Sequence, residues 1–127
     1  MSITFKVIER GEPGVAGGGQ KKFYATQVSN GQSDIDDLTR GIERACTVNG
    51  ADIRAVLYSF VETLMEDLSS GKIVKLGEMG SFRVSIGSEG KEISDEVNAG
   101  SIKNAKIVFS PGKKLKKLLQ SLEYKKA

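Results

Sequence analysis

The side chains able to do chemistry in this 127-residue chain are nineteen lysines and arginines and sixteen aspartates and glutamates; there is no histidine and one cysteine. Lack of histidine removes the usual acid–base group at neutral pH and any Cys/His zinc site, and one thiol cannot form an intramolecular disulfide. Asp34, Asp36 and Asp37 stand close together, a spacing that suits the positive end of a helix better than a metal site. Gly14 and Gly19 have the spacing of a phosphate loop, but Gln20 stands where that loop needs lysine, and a strand pattern follows. Cys46, beside Ala45 on a predicted helix, reads as a small buried hydrophobe and not as a nucleophile with a base. No enzyme, cofactor or metal is expected.

What remains is positive charge. The net charge is +3, yet residues 113–126 hold six lysines (Lys113, Lys114, Lys116, Lys117, Lys125 and Lys126) against one acid, Glu123, a local +5. The other residues sum to −2. A basic cluster beside a near-neutral body is a phosphate-binding footprint or a solvated helix face.

The elements that must position these charges can be traced from the pattern. The length is that of one ordinary domain, and 39% apolar residues with no tryptophan make a small core that two chains would share more readily than one. Alternation in Ile3-Thr4-Phe5-Lys6-Val7 predicts a strand, and Lys21 to Val28 a second; the glycine-rich residues 11–19 between them read as a mobile hairpin connection. Ser33, with Asp36 three residues on, predicts a helix start, and Ile35, Leu38, Ile42 and Ala45 share a face. Asn49 caps a longer helix whose Ile53, Val56, Leu57, Phe60, Val61, Leu64, Met65 and Leu68 keep helical period up to a stop at Gly71.

After that the period changes. Residues 72–76 form a short strand, 77–80 a turn, and 81–86 a strand with Phe82, Val84 and Ile86 on one side. Residues 87–104 are polar, 105–109 form another strand, and Ser110-Pro111-Gly112 opens a last helix with proline in its first turn and Leu115, Leu118, Leu119 and Leu122 on one face. No apolar run approaches the ~18 residues of a membrane span, and no signal-peptide core follows the first residues. A soluble, intracellular chain is expected.

Gly71-Lys72-Ile73-Val74-Lys75-Leu76-Gly77-Glu78-Met79-Gly80-Ser81-Phe82-Arg83-Val84 resembles the bacterial HU and integration-host-factor family of DNA-bending proteins, as does Phe109-Ser110-Pro111-Gly112-Lys113-Lys114-Leu115-Lys116. The order of elements over residues 33–122 is that family's too. Residues 1–32 fit the HU-like variants of Bacteroidetes type, which have an extra N-terminal strand segment.

The resemblance implies an α+β fold. It comprises two N-terminal helices, a three-stranded antiparallel sheet with a β-arm and a C-terminal helix, intertwined as a homodimer, with an added N-terminal strand hairpin. It divides the chain into an extension, 1–32, and a DNA-binding domain, 33–127. Phe60, Leu64, Met79, Phe82 and Phe109 become the dimer core. The implied DNA contacts are Lys72, Lys75, Arg83, Lys91, Lys103, Lys106, Lys113, Lys114 and Lys117, lysines being suited to phosphates more than to bases. The implied function is histone-like and nucleoid-associated, in the cytoplasm: binding of duplex DNA along its backbone and minor groove with low sequence specificity. RNA is a further nucleic-acid partner to test. One departure stands out. The arm lacks the family's Arg-Asn-Pro tip and carries Glu89, Glu92, Asp95 and Glu96, with only Ile93 or Val97 as an apolar wedge. The competing reading is an HU-fold dimeric module for protein interaction, with weak or no DNA binding.

Overall fold

The computed structural model describes residues 1–127. The chain runs β1 (Ile3–Arg10), β2 (Lys22–Val28), α1 (Ile35–Ala45), α2 (Gly50–Ser69), β3 (Val74–Lys75), β4 (Gly80–Ser88), β5 (Ile102–Pro111), α3 (Lys113–Gln120) and β6 (Tyr124–Lys126). It is a mixed α+β chain with three helices and two three-stranded sheets. No helix is long and apolar enough to cross a membrane.

Side-chain caps set the starts of α1 and α2, that of α1 one residue later than Ser33 predicts. Asp34 is the N-cap of α1: its carboxylate accepts from the Asp37 N–H at 2.9 Å, and Asp37 accepts from the Asp34 N–H at 3.1 Å. That backbone bond from Asp34, more than the neighbouring Arg40, holds the Asp37 carboxyl below its ordinary range. A reciprocal pair satisfies two free donors at once, which a lone serine cannot do. Asn49 caps α2 as its sequence position predicts, accepting from the Asp52 N–H at 3.0 Å, and Gly71 follows the helix at φ 78°. Cys46 is exposed, correcting the expectation of a buried thiol. It sits on the C-cap of α1, where the helix has ended and its N–H reaches back to the Ile42 carbonyl.

One sheet has the order β3-β4-β5 and is antiparallel throughout. Its register pairs Phe82 with Phe109, Val84 with Ile107 and Ile86 with Ala105, so one face is apolar. Lys75 pairs with Ser81, Arg83 with Val108 and Ser85 with Lys106, so the other face is polar and basic. The strands outrun their predicted ends, and β3 is shorter: Lys72 lies outside it. Pro111 closes β5 opposite Gly80 and does not enter α3, whose N-cap is Gly112. A strand end tolerates the missing N–H as well as a helix start does.

The other sheet has the order β2-β1-β6. β1 and β2 form the expected hairpin, but its connection is not an open coil: the Glu12 N–H donates to the Gly18 carbonyl at 2.6 Å and residues 16–18 make a 3-10 turn. β6 has no counterpart in the sequence pattern. Its three residues lie parallel to β1, fixed by the Ile3 N–H on Glu123 and the Ala127 N–H on Phe5. The last strand of the chain thus completes the N-terminal sheet, and one element crosses the expected division at residue 32.

Within one chain the core is slight. Ile53 and Leu68 are the only buried large apolar side chains. Val56, Met65, Ile86, Ile107 and Leu119 are all at least 60% exposed.

Candidate nucleic-acid interface

The polar face of the β3-β4-β5 sheet carries Lys75, Arg83 and Lys106, all exposed. None of the three belongs to an ion pair. Antiparallel sheets commonly leave one face to solvent, and alternation puts every second residue there. On α3 the helical spacing gathers Lys113, Lys114 and Lys117 on one side and Leu115, Leu118 and Leu119 on the opposite one. These lysines are also exposed and free of carboxylate partners.

A tight backbone junction joins the sheet to the helix. The Gly112 N–H donates to the Met79 carbonyl at 2.9 Å, and Gly80 pairs with Pro111 at the end of β5. A Cβ on Gly80, whose φ is 137°, would lie 2.9 Å from the Gly112 nitrogen and overlap the Ser110 carbonyl. α3 therefore starts two residues after the partner of Gly80, while Lys75 pairs with the residue after Gly80. The two basic surfaces are held in fixed relation.

The other three predicted contacts are engaged within the chain. Lys72 Nζ lies 3.7 Å from Asp67. Lys91 and Lys103 both hold Glu89, at 3.2 and 3.0 Å. Lys103 is the extra residue of a β-bulge, where Gly87 pairs with Asn104 and Ser88 with Ile102, and a bulge re-aims the side chain it frees. Lys103 foremost, and then Lys91, depress the Glu89 carboxyl below its ordinary range. The arm itself is a compact cap. The Glu89 N–H donates to the Ser101 carbonyl at 2.8 Å, and Asn98 and Ser101 bond reciprocally around a turn that buries Ser101. Ile93 and Val97 are both exposed. Of the four arm acids flagged in the sequence only Glu89 is thus neutralised, together with two lysines; nothing in the spacing beyond Glu89 and Lys91 being two residues apart signals it.

Of the expected dimer core, Phe82 and Phe109 meet with ring centroids 4.9 Å apart at a 36° tilt. Phe60, Met79 and Phe109 are exposed in the single chain, and Leu64 is half-buried.

A family model described as an HU domain fused to a winged helix-turn-helix, immunoglobulin-like or glycine-rich motif matches residues 1–126. The chain belongs to this HU-HIG family. Among solved structures, the HU-HIG chain is similar to a protein of Bacteroides vulgatus ATCC 8482 described as a bacterial DNA binding protein, with TM-score 0.64 and 14% identity over 97% of the chain. It spans 47% of that longer protein. It is also similar to Anabaena HU from a cocrystal with DNA, with TM-score 0.55 and 21% identity over 70% of this chain and 99% of the HU chain. At these identities the likeness is one of fold. No curated protein matches.

Proposed function

We propose that this HU-HIG chain is a nucleoid-associated protein that binds duplex DNA as a homodimer, with low sequence specificity. One observation carries the reading. Six basic side chains without intramolecular partners (Lys75, Arg83, Lys106, Lys113, Lys114 and Lys117) stand on two surfaces locked together at Gly80 and Gly112. Such an array is suited to neutralising phosphates, contacts that carry no sequence information directly. Residues 33–127 form the DNA-binding unit, and residues 1–32 are an extension stitched to it by β6. Coverage of 97% in the Bacteroides vulgatus match, extension included, supports the Bacteroidetes-type variant.

The homodimer rests on burial. Two buried side chains, each worth about 1.5–3 kcal/mol, are far too few to order this chain, while Phe60, Met79, Val84, Ile107 and Phe109 stay exposed. An identical partner presents matching apolar surface and closes a two-fold interface.

The arm favours moderate bending, since it has no proline tip and Glu89 occupies two of its lysines. That same feature supports the second reading, a dimeric interaction module with little DNA affinity. A salt-titrated gel shift with random duplex, nicked duplex and structured RNA separates the two. Tight, salt-sensitive binding to duplex supports the first reading; none at low salt overturns it.

A further inference from the structure

The β2-β1-β6 sheet has a charged face of its own. In the paired register, Thr4, Lys6, Ile8 and Arg10 of β1 share a face with Val28, Thr26, Tyr24 and Lys22 of β2, and Thr4 pairs with Lys125 of β6. Alternation sends Glu9 to the opposite face. Four exposed cations, Lys6, Arg10, Lys22 and Lys125, therefore line one side without a carboxylate from any of its strands. The one acid that reaches them, Glu12 of the connection, lies 3.2 Å from Lys22.

Two details point to an anion. Arg10 and Lys22 are direct cross-strand partners, and like charges opposite one another destabilise a sheet. The Arg10 guanidinium lies over the Tyr24 ring, 4.6 Å from its centroid, which orients it while leaving its edge donors free. Because that ring face is covered, Tyr24 offers no platform for an unstacked base, so the match is to a phosphate backbone and not to single strands. From Thr4, beside Lys125, to Arg10 is six residues, about 20 Å of strand. Measured along a duplex axis, that is about six base pairs at a rise of about 3.4 Å each.

We propose that this face is a second DNA contact, which holds the phosphate backbone of duplex flanking the segment bound by Arg83 and the α3 lysines. It rests on the DNA-binding reading above and assigns a role to the extension. β6 then serves two ends: it anchors the N-terminal sheet to α3 and supplies Lys125.

Lysine acetylation footprinting of the full wild-type chain, with and without random-sequence duplex, tests it. The expected result is several-fold protection of Lys6 and Lys125, with Lys126, which pairs with Phe5 on the opposite face, still reactive. Protection of Lys113, Lys114 and Lys117 with unchanged Lys6 and Lys125 overturns the proposal alone; no protection anywhere overturns the DNA-binding reading as well. As a second measure, the variant Lys6→Gln/Arg10→Gln/Lys125→Gln should flatten the slope of log K against log salt by about 0.9 per lost contact. A folded variant with the wild-type slope refutes it.

Discussion

Gly80 and Gly112 approach so closely that neither position has room for a β-carbon: one on Gly80 would stand 2.9 Å from the Gly112 nitrogen, and one on Gly112 would stand 2.9 Å from the Gly80 nitrogen. This contact couples the first residue of β4, the central strand of the sheet that carries Lys75, Arg83 and Lys106, to the N-cap of α3, which carries Lys113, Lys114 and Lys117.

Gly80→Ala should therefore destabilise the protein by about 1–3 kcal/mol, the usual cost of overpacking, with added strain from the positive φ. Urea melts monitored by circular dichroism measure it. A stability equal to wild type would show that the junction opens without cost.

Phe82→Ala removes one ring of the Phe82–Phe109 pair. A cost of roughly 3–5 kcal/mol is expected where the proposed dimer buries this half-exposed ring between two chains. Light scattering should then find loss of the folded dimer; a stable folded monomer of wild-type chain would contradict the shared core outright.

Replacing Lys113, Lys114 and Lys117 by Ala should weaken binding evenly across DNA sequences. The wild-type protein, as the proposed dimer, should show a log K against log salt slope of roughly −4 to −8 at about −0.9 per phosphate, and the triple variant a flatter one. If affinity and slope are unchanged, the α3 lysines are a solvated face only.

Glu89→Gln should free Lys91 and Lys103, raise DNA affinity and steepen the salt slope. Were affinity to fall, Glu89 would be needed to shape the arm more than it blocks it.

The same pair sets a pH dependence. The folded-state value of Glu89 is depressed, so its contribution is complete above the ordinary glutamate range and is lost as pH falls through the lowered value. Amide protection factors at Glu89 and Ser101, measured by NMR exchange and corrected for the intrinsic rate at each pH, should stay flat through neutral pH and fall only in acid. Loss of protection near neutral pH would assign the ordering of the arm to something else.

Much of the architecture was legible because it is written locally. Asn49 with Asp52, Gly71, the four-turn apolar period of α2 and the alternation in β4 each act within a few residues, where the chain's own geometry decides. The cap of α1 lies one residue beyond Ser33 because Ser33 and Asp34 both suit the position, and only the reciprocal bond with Asp37 distinguishes them.

What lies far apart in sequence was not legible. Composition already directed the chain toward anions and away from His- or thiol-based chemistry, and the spacing put lysines on one side of α3. Which lysines are free was a tertiary matter. Lys91 and Lys103 lie twelve residues apart and meet only because the bulge and the Glu89–Ser101 backbone bond close the arm. Likewise Tyr124, Lys125 and Lys126 form too short a segment to announce a strand; they become one because β1 offers an unpaired edge whose N–H and C=O groups need partners. Side-chain type and period are properties of the chain, whereas partnership depends on which distant backbones the fold brings within hydrogen-bond reach.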